Sequence, residues 1–166
     1  MKPFVHDDFL LESETARELY HGTAKDLPII DYHCHLSPHQ IADDHRWRSL
    51  TEIWLEGDHY KWRAMRANGI PESFCSGDAS DFDKFEAWAR TLPETLGNPL
   101  YHWTAMELRR PFGIEDTLGP TTARDVFGRA NEKLQQDGFT TMGTEFDKIG
   151  TTLKAIGSGS SGGIEH

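Results

Sequence analysis

Cysteine is scarce in this chain. Cys34 and Cys75 are the two in 166 residues, too few for a disulfide framework, and a reducing cytoplasm is the simplest home for them. Long apolar runs are missing as well. No stretch approaches the ~20 residues that cross a bilayer, and the opening Met1-Lys2-Pro3-Phe4-Val5-His6 has no signal-peptide apolar region. Positive charge is the third shortage. The net charge is −10, from 17 Lys and Arg against 27 Asp and Glu, and only Arg109-Arg110 brings two basic residues side by side. Phosphate backbones need clustered Lys and Arg, so nucleic acid is excluded as a partner. No glycine-rich phosphate loop, nucleophile elbow or Cys-x-x-Cys motif is present.

Strand signals are also few, and the one that stands out carries chemistry. Leu27 to Leu36 is apolar and then alternating, with the polar Thr23–Asp26 stretch before it, as a short buried strand reads. Side chains two apart on a strand leave the same face. His33 and His35 would therefore point together, with Asp31 beside them and Tyr32, Cys34 and Leu36 opposite. Two imidazoles converging from one strand end offer neutral nitrogen lone pairs suited to zinc or iron. The chain has nine histidines, so a pair of solvated histidines explains this spacing equally well. On spacing alone both readings stand.

Most of the remainder reads as short, well-punctuated helices. Ser13 predicts the start of a helix reaching about Tyr20. Ser49-Leu50-Thr51-Glu52 has capping-box spacing and opens a short helix through Trp54. Gly57-Asp58 breaks it and caps another that should end near Asn68-Gly69. Asp81 predicts a helix with Phe82, Phe85 and Ala89 on one face. Asn98-Pro99 opens the next, with Leu100, Trp103 and Leu108 inward and Pro111 as its stop. Thr122 with Asp125 opens the last, carrying Val126, Phe127, Ala130 and Leu134 and ending at Gly138. From Gly157 to Gly163 the chain is almost pure Gly and Ser and reads as a linker or an expression scar.

A second place for chemistry is Trp54-Leu-Glu-Gly-Asp-His-Tyr-Lys-Trp-Arg-Ala-Met-Arg66. His59 and Tyr60 fall in the first turn of a helix, where free N–H groups and the macrodipole favour an anion. With Lys61 and Arg63 they could hold a carboxylate and move protons. The competing reading, favoured by the residues alone, is an amphipathic surface helix with Trp62 and Met65 inward and the basic residues solvated. Glu107 reads as a partner for Arg109 or Arg110 in a modest surface pair. His102 reads as a partly buried core residue. Asp78, Asp81 and Asp83 lack the Gly and Glu of a calcium loop and read as solvated caps.

Five collinear segments go further. They are Met1-Lys-Pro-Phe with His6-Asp-Asp-Phe-Leu-Leu11, Asp31-Tyr-His-Cys-His-Leu-Ser-Pro38, Ile53 to Gly69, Asn98-Pro-Leu-Tyr-His-Trp103 and Glu107-Leu-Arg-Arg-Pro-Phe-Gly-Ile114. From residue 1 to about 143, the chain resembles the N-terminal portion of uronate isomerase (glucuronate isomerase). The resemblance implies an α/β fold, the amidohydrolase-like (β/α)₈ barrel. Residues 1–40 would hold the N-terminal segment and first barrel strand, 41–143 a helical insertion beside the barrel mouth, and 144–166 a divergent tail.

The resemblance implies aldose–ketose isomerisation of hexuronates in hexuronate catabolism, D-glucuronate to D-fructuronate and D-galacturonate to D-tagaturonate, through an enediol. His33 and His35 would bind a divalent metal, commonly zinc, at the C-terminal end of the first strand. His59 and Tyr60 match active-site positions, so the resemblance favours a site where the residues alone favour a solvated surface helix. The alternatives are a metal-dependent amidohydrolase-type hydrolase and a non-catalytic helical interaction fragment. Homo-oligomerisation of full-length members stays open.

A (β/α)₈ barrel needs roughly 250 residues, and the family pattern fades after about Gly143. The expectation is therefore a truncated chain with an incomplete barrel and no turnover of its own. Its five tryptophans are expected to lie partly exposed and to drive association or a molten helical state.

Overall fold

A computed structural model describes residues 3–28, 39–40 and 45–137. Among the described residues the secondary structure is helical and contains no strand. The strand expected to carry His33 and His35 lies outside them beyond Pro28, as does the tail from residue 144. No helix among them is long and apolar enough to cross a membrane.

Among the described residues, helices with defined bounds run in the order α1 Glu14–Gly22, α2 Leu50–Leu55, α3 His59–Ala67, α4 Asp81–Thr91, α5 Pro99–Phe112 and α6 Ala123–Asp137. Their starts follow from single side chains that satisfy free N–H groups. Ser13 Oγ accepts from Ala16 N–H, Asp58 from Tyr60 and Lys61, Ser80 from Asp83, and Asn98 from Leu100. At α2, Ser49 Oγ accepts from Glu52 N–H, half of the expected box. The reciprocal half differs: Glu52 Oε2 accepts from Arg48 N–H at 2.6 Å.

α4 is the central element. It packs against α2, α3 and α6, while α5 leans on α6 and on the 3-10 turn Leu92–Thr95. One contiguous core results, built on Trp47, Leu50, Trp54, Met65, Phe85, Trp88, Leu108, Val126 and Leu134 with their smaller neighbours. Trp47, Trp54 and Trp88 are buried in it and Trp62 is packed against its edge. The tryptophan surface is thus mostly consumed within the helical part, and Trp103 is the one left 53% exposed. Cys75 is a free, buried thiol within the same core.

Two local expectations need correction. Trp103 points outward, because the inward stripe of α5 runs in steps of four through Leu100, Thr104, Leu108 and Phe112. Pro111 does not stop α5. It sits in the last turn, and the helix ends one residue later where Gly113 takes φ +65° and the N–H groups of Gly113 and Ile114 turn back to Arg109 and Leu108 carbonyls. Thr122 opens α6 as expected, the helix beginning at Ala123, while its hydroxyl accepts from Gly119 N–H and donates to Thr117 O, both at 2.9 Å.

Candidate active site

The chain reverses between α2 and α3 through Gly57, whose φ of +85° lies where a Cβ is strained. The next residue, Asp58, then uses one carboxylate in two directions. Its Oδ1 accepts from Tyr60 N–H and Lys61 N–H, both at 3.0 Å, and its Oδ2 accepts from Lys61 Nζ at 2.8 Å. Burial alone would raise the Asp58 carboxyl. The Lys61 charge, its hydrogen bond and the two backbone donors outweigh that and hold it below the ordinary carboxylate range.

His59 and Tyr60 occupy the first turn so fixed. Both side chains are exposed, Tyr60 at 51%, and their ring centroids are 4.8 Å apart. The Arg63 guanidinium, one turn on, lies 5.7 Å from the Tyr60 ring centroid. A ring nitrogen, a phenol and a cation therefore share one open end of α3. Such a group can donate to and accept from the oxygens of a polar, anionic small molecule.

Beneath them lies a buried charge. Lys61 is among the basic residues that the helical pattern leaves in solvent, yet its side chain is only 8% exposed. Its Nζ sits 5.8 Å from the Trp54 ring centroid and 4.0 Å from Glu107 Oε2 on α5. Among the described residues Glu107 Oε2 is shielded from solvent without a hydrogen-bond partner, although the whole side chain keeps 40% exposure. Shielding pushes the Glu107 carboxyl up, the Lys61 charge pulls it down, and Asp58 adds to the rise. The net direction is upward. Arg109, the neighbour expected to pair with Glu107, reaches Asp7 at 3.2 Å and Glu115 at 3.7 Å. The sequence does hold a signal for the burial of Lys61, though none for its partner Glu107: Lys61 lies four residues before buried Met65, on the same helical face.

His33 and His35 fall outside the described residues, so their expected convergence with His59 and Tyr60 does too. Among the described residues no three His, Cys, Asp or Glu side chains are grouped to hold a metal ion.

Residues 1–150 match the family model described as glucuronate isomerase. The chain belongs to that family. Uronate isomerase of Pectobacterium carotovorum subsp. carotovorum strain PC1 is 62% identical over 144 residues, covering 86% of this chain and 31% of that protein. The uronate isomerase of Edwardsiella ictaluri strain 93-146 is 61% identical over 144 residues, with the same coverage of 86% and 31%. In three dimensions the chain is similar to the uronate isomerase of Thermotoga maritima, with a TM-score of 0.76 and 33% identity, covering 81% of this chain and 30% of that one. The glucuronate isomerase of Caulobacter crescentus shares the fold at a TM-score of 0.74 and 24% identity, covering 90% of this chain and 33% of that one. The chain thus spans about 31% of the length of the curated relatives it matches.

Proposed function

We propose that these residues form part of an aldose–ketose isomerase acting on open-chain hexuronates, D-glucuronate and D-galacturonate. The observation that carries the reading is the family match over residues 1–150. The exposed His59–Tyr60 pair on the fixed first turn of α3 supports its location. In the reaction a base removes the C2 proton and the C1 carbonyl oxygen takes up a proton, giving an enediol. The O2 proton then leaves as a proton is delivered to C1, and C2 becomes the carbonyl. His59 and Tyr60 would bind substrate oxygens and carry protons between them, tasks suited to an imidazole and a phenol.

The proposed setting is a (β/α)₈ barrel in the cytoplasm, with the helical part beside its mouth. His33 and His35 would hold a divalent metal, zinc being suited to two imidazole nitrogens. Zinc takes at least three protein ligands, so this pair needs another from a different segment. When bound, such an ion polarises a substrate oxygen. The main base and the groups that hold the uronate carboxylate would come from segments found in the longer relatives.

The test uses a family-length protein carrying residues 1–150, with uronate conversion followed by proton NMR. Turnover of glucuronate or galacturonate is expected, with solvent deuterium entering the product. His59→Ala and Tyr60→Phe should each lower kcat by about 10²–10⁴-fold. Hydrolysis of amides or esters without uronate turnover would replace this reading with the hydrolase.

A further inference from the structure

Lys61 is a strange residue to bury beside an open catalytic turn. A lone ammonium taken out of water is costly, and burial persists only where partners answer the charge. Here the partners come from two elements. Asp58 Oδ2 holds Nζ at 2.8 Å from the start of the same helix, and Glu107 Oε2 faces it at 4.0 Å from α5. The Trp54 ring of α2 closes a third side at 5.8 Å. Asp58 also holds the N–H groups of Tyr60 and Lys61. A shift of the ammonium therefore moves the carboxylate that fixes the turn, and with it the two side chains that project from the turn.

We propose that Lys61, held by Asp58 and faced by Glu107, is a positioning residue that sets the placement of His59 and Tyr60 from below. It touches no substrate. It acts by tying the first turn of α3 to α5 and α2, so that an imidazole and a phenol are presented at one fixed separation. The inference rests on the isomerase reading for its consequence in catalysis, though not for its geometry. Two carboxylates around one ammonium suit this task better than one. Asp58 fixes the turn locally, and Glu107 supplies the long-range anchor that a helix cap cannot.

Two measurements test it. In the 166-residue chain, NMR should show ring-to-ring contacts between His59 and Tyr60, whose centroids are 4.8 Å apart. Lys61→Met and Glu107→Gln should weaken those contacts while the amide pattern of α4 and α6 is retained. Asp58→Asn separates the charge pair from the cap, since Asn caps as well as Asp, and should weaken them too. In the family-length enzyme the same variants should lower kcat by about 10–100-fold with KM changed far less, as misplacement of catalytic groups does. Lys61→Arg should recover part of the loss.

If Lys61→Met does not fold, Glu107→Gln and Asp58→Asn carry the decision. Unchanged ring contacts and unchanged kcat in those two would overturn the proposal. Altered ring contacts in a parent enzyme that does not turn over uronates would support the positioning role and sink the isomerase reading instead.

Discussion

Glu107 and Asp58 are both carboxylates around one lysine, and their pH behaviour should run in opposite directions. The Asp58 carboxyl is held low, so its contribution to stability is present above the unfolded-state value and is lost as pH falls through the folded one. The Glu107 carboxyl is pushed up, so its contribution is full below the ordinary glutamate value of the unfolded chain and is lost as pH rises through the folded one. Glu107→Gln removes only the second effect. Urea midpoints measured from acid to neutral pH should show the parent losing ground to Glu107→Gln as pH rises, with the reverse slope for Asp58→Asn. Solvent reaches much of the Glu107 side chain, so the effect is one of direction and modest size. A parent–variant difference that ignores pH would show Glu107 to be solvated.

At the scale of elements, the junction of α2 with α4 is concentrated on Asp81. Its carboxylate accepts from Ser49 Oγ at 2.5 Å and Arg48 Nε at 2.9 Å, while its backbone carbonyl accepts from Thr51 Oγ1 at 2.5 Å. Asp81→Ala strands a part-buried hydroxyl and a guanidinium donor, and should cost about 1–3 kcal/mol in thermal or urea unfolding. Gly113→Ala tests a different link. Among the described residues a Cβ there meets only Lys133 Nζ at 3.9 Å, so the loss of about 1 kcal/mol expected is backbone strain at φ +65°. These elements also separate what the sequence makes legible from what it hides. Ser13, Asp58 and Asn98 announce their helices because a cap acts within three residues, and the apolar faces of α4 and α6 follow from period. The hidden part depends on distant partners. Lys61 meets Glu107 and Ser49 meets Asp81 across separations that helical spacing does not encode, and Pro111 is no stop because Gly113 ends the helix instead. The proposal that His59 and Tyr60 form a site rests on the family resemblance alone at the level of sequence, since their exposed side chains look the same on any surface helix.

At the scale of the molecule, the helices share one core, and Trp88 is its largest fully buried side chain. Trp88→Ala should cost about 3–5 kcal/mol, and the unfolding of the described helical part should follow it as one transition. The polypeptide of these 166 residues should show a strong far-ultraviolet helix signal and a cooperative melt. It should show no uronate turnover by itself, because the matched relatives are about three times longer. Separate transitions for α4 and α5 would contradict a shared core, and measurable turnover would show the site to be complete within this chain.

The unequal depth of the tryptophans has a spectroscopic consequence. Trp47, Trp54 and Trp88 are sealed in the interior, while Trp103 is 53% exposed on α5. The native emission is therefore a composite of a blue, shielded band and a red-edge contribution from one indole in water. Acrylamide should extinguish the red edge first, leaving a blue-shifted remainder, and Trp103→Phe should delete that easily quenched fraction while preserving the rest. The protein thus carries an optical reporter for one outer face of the bundle, readable without any label.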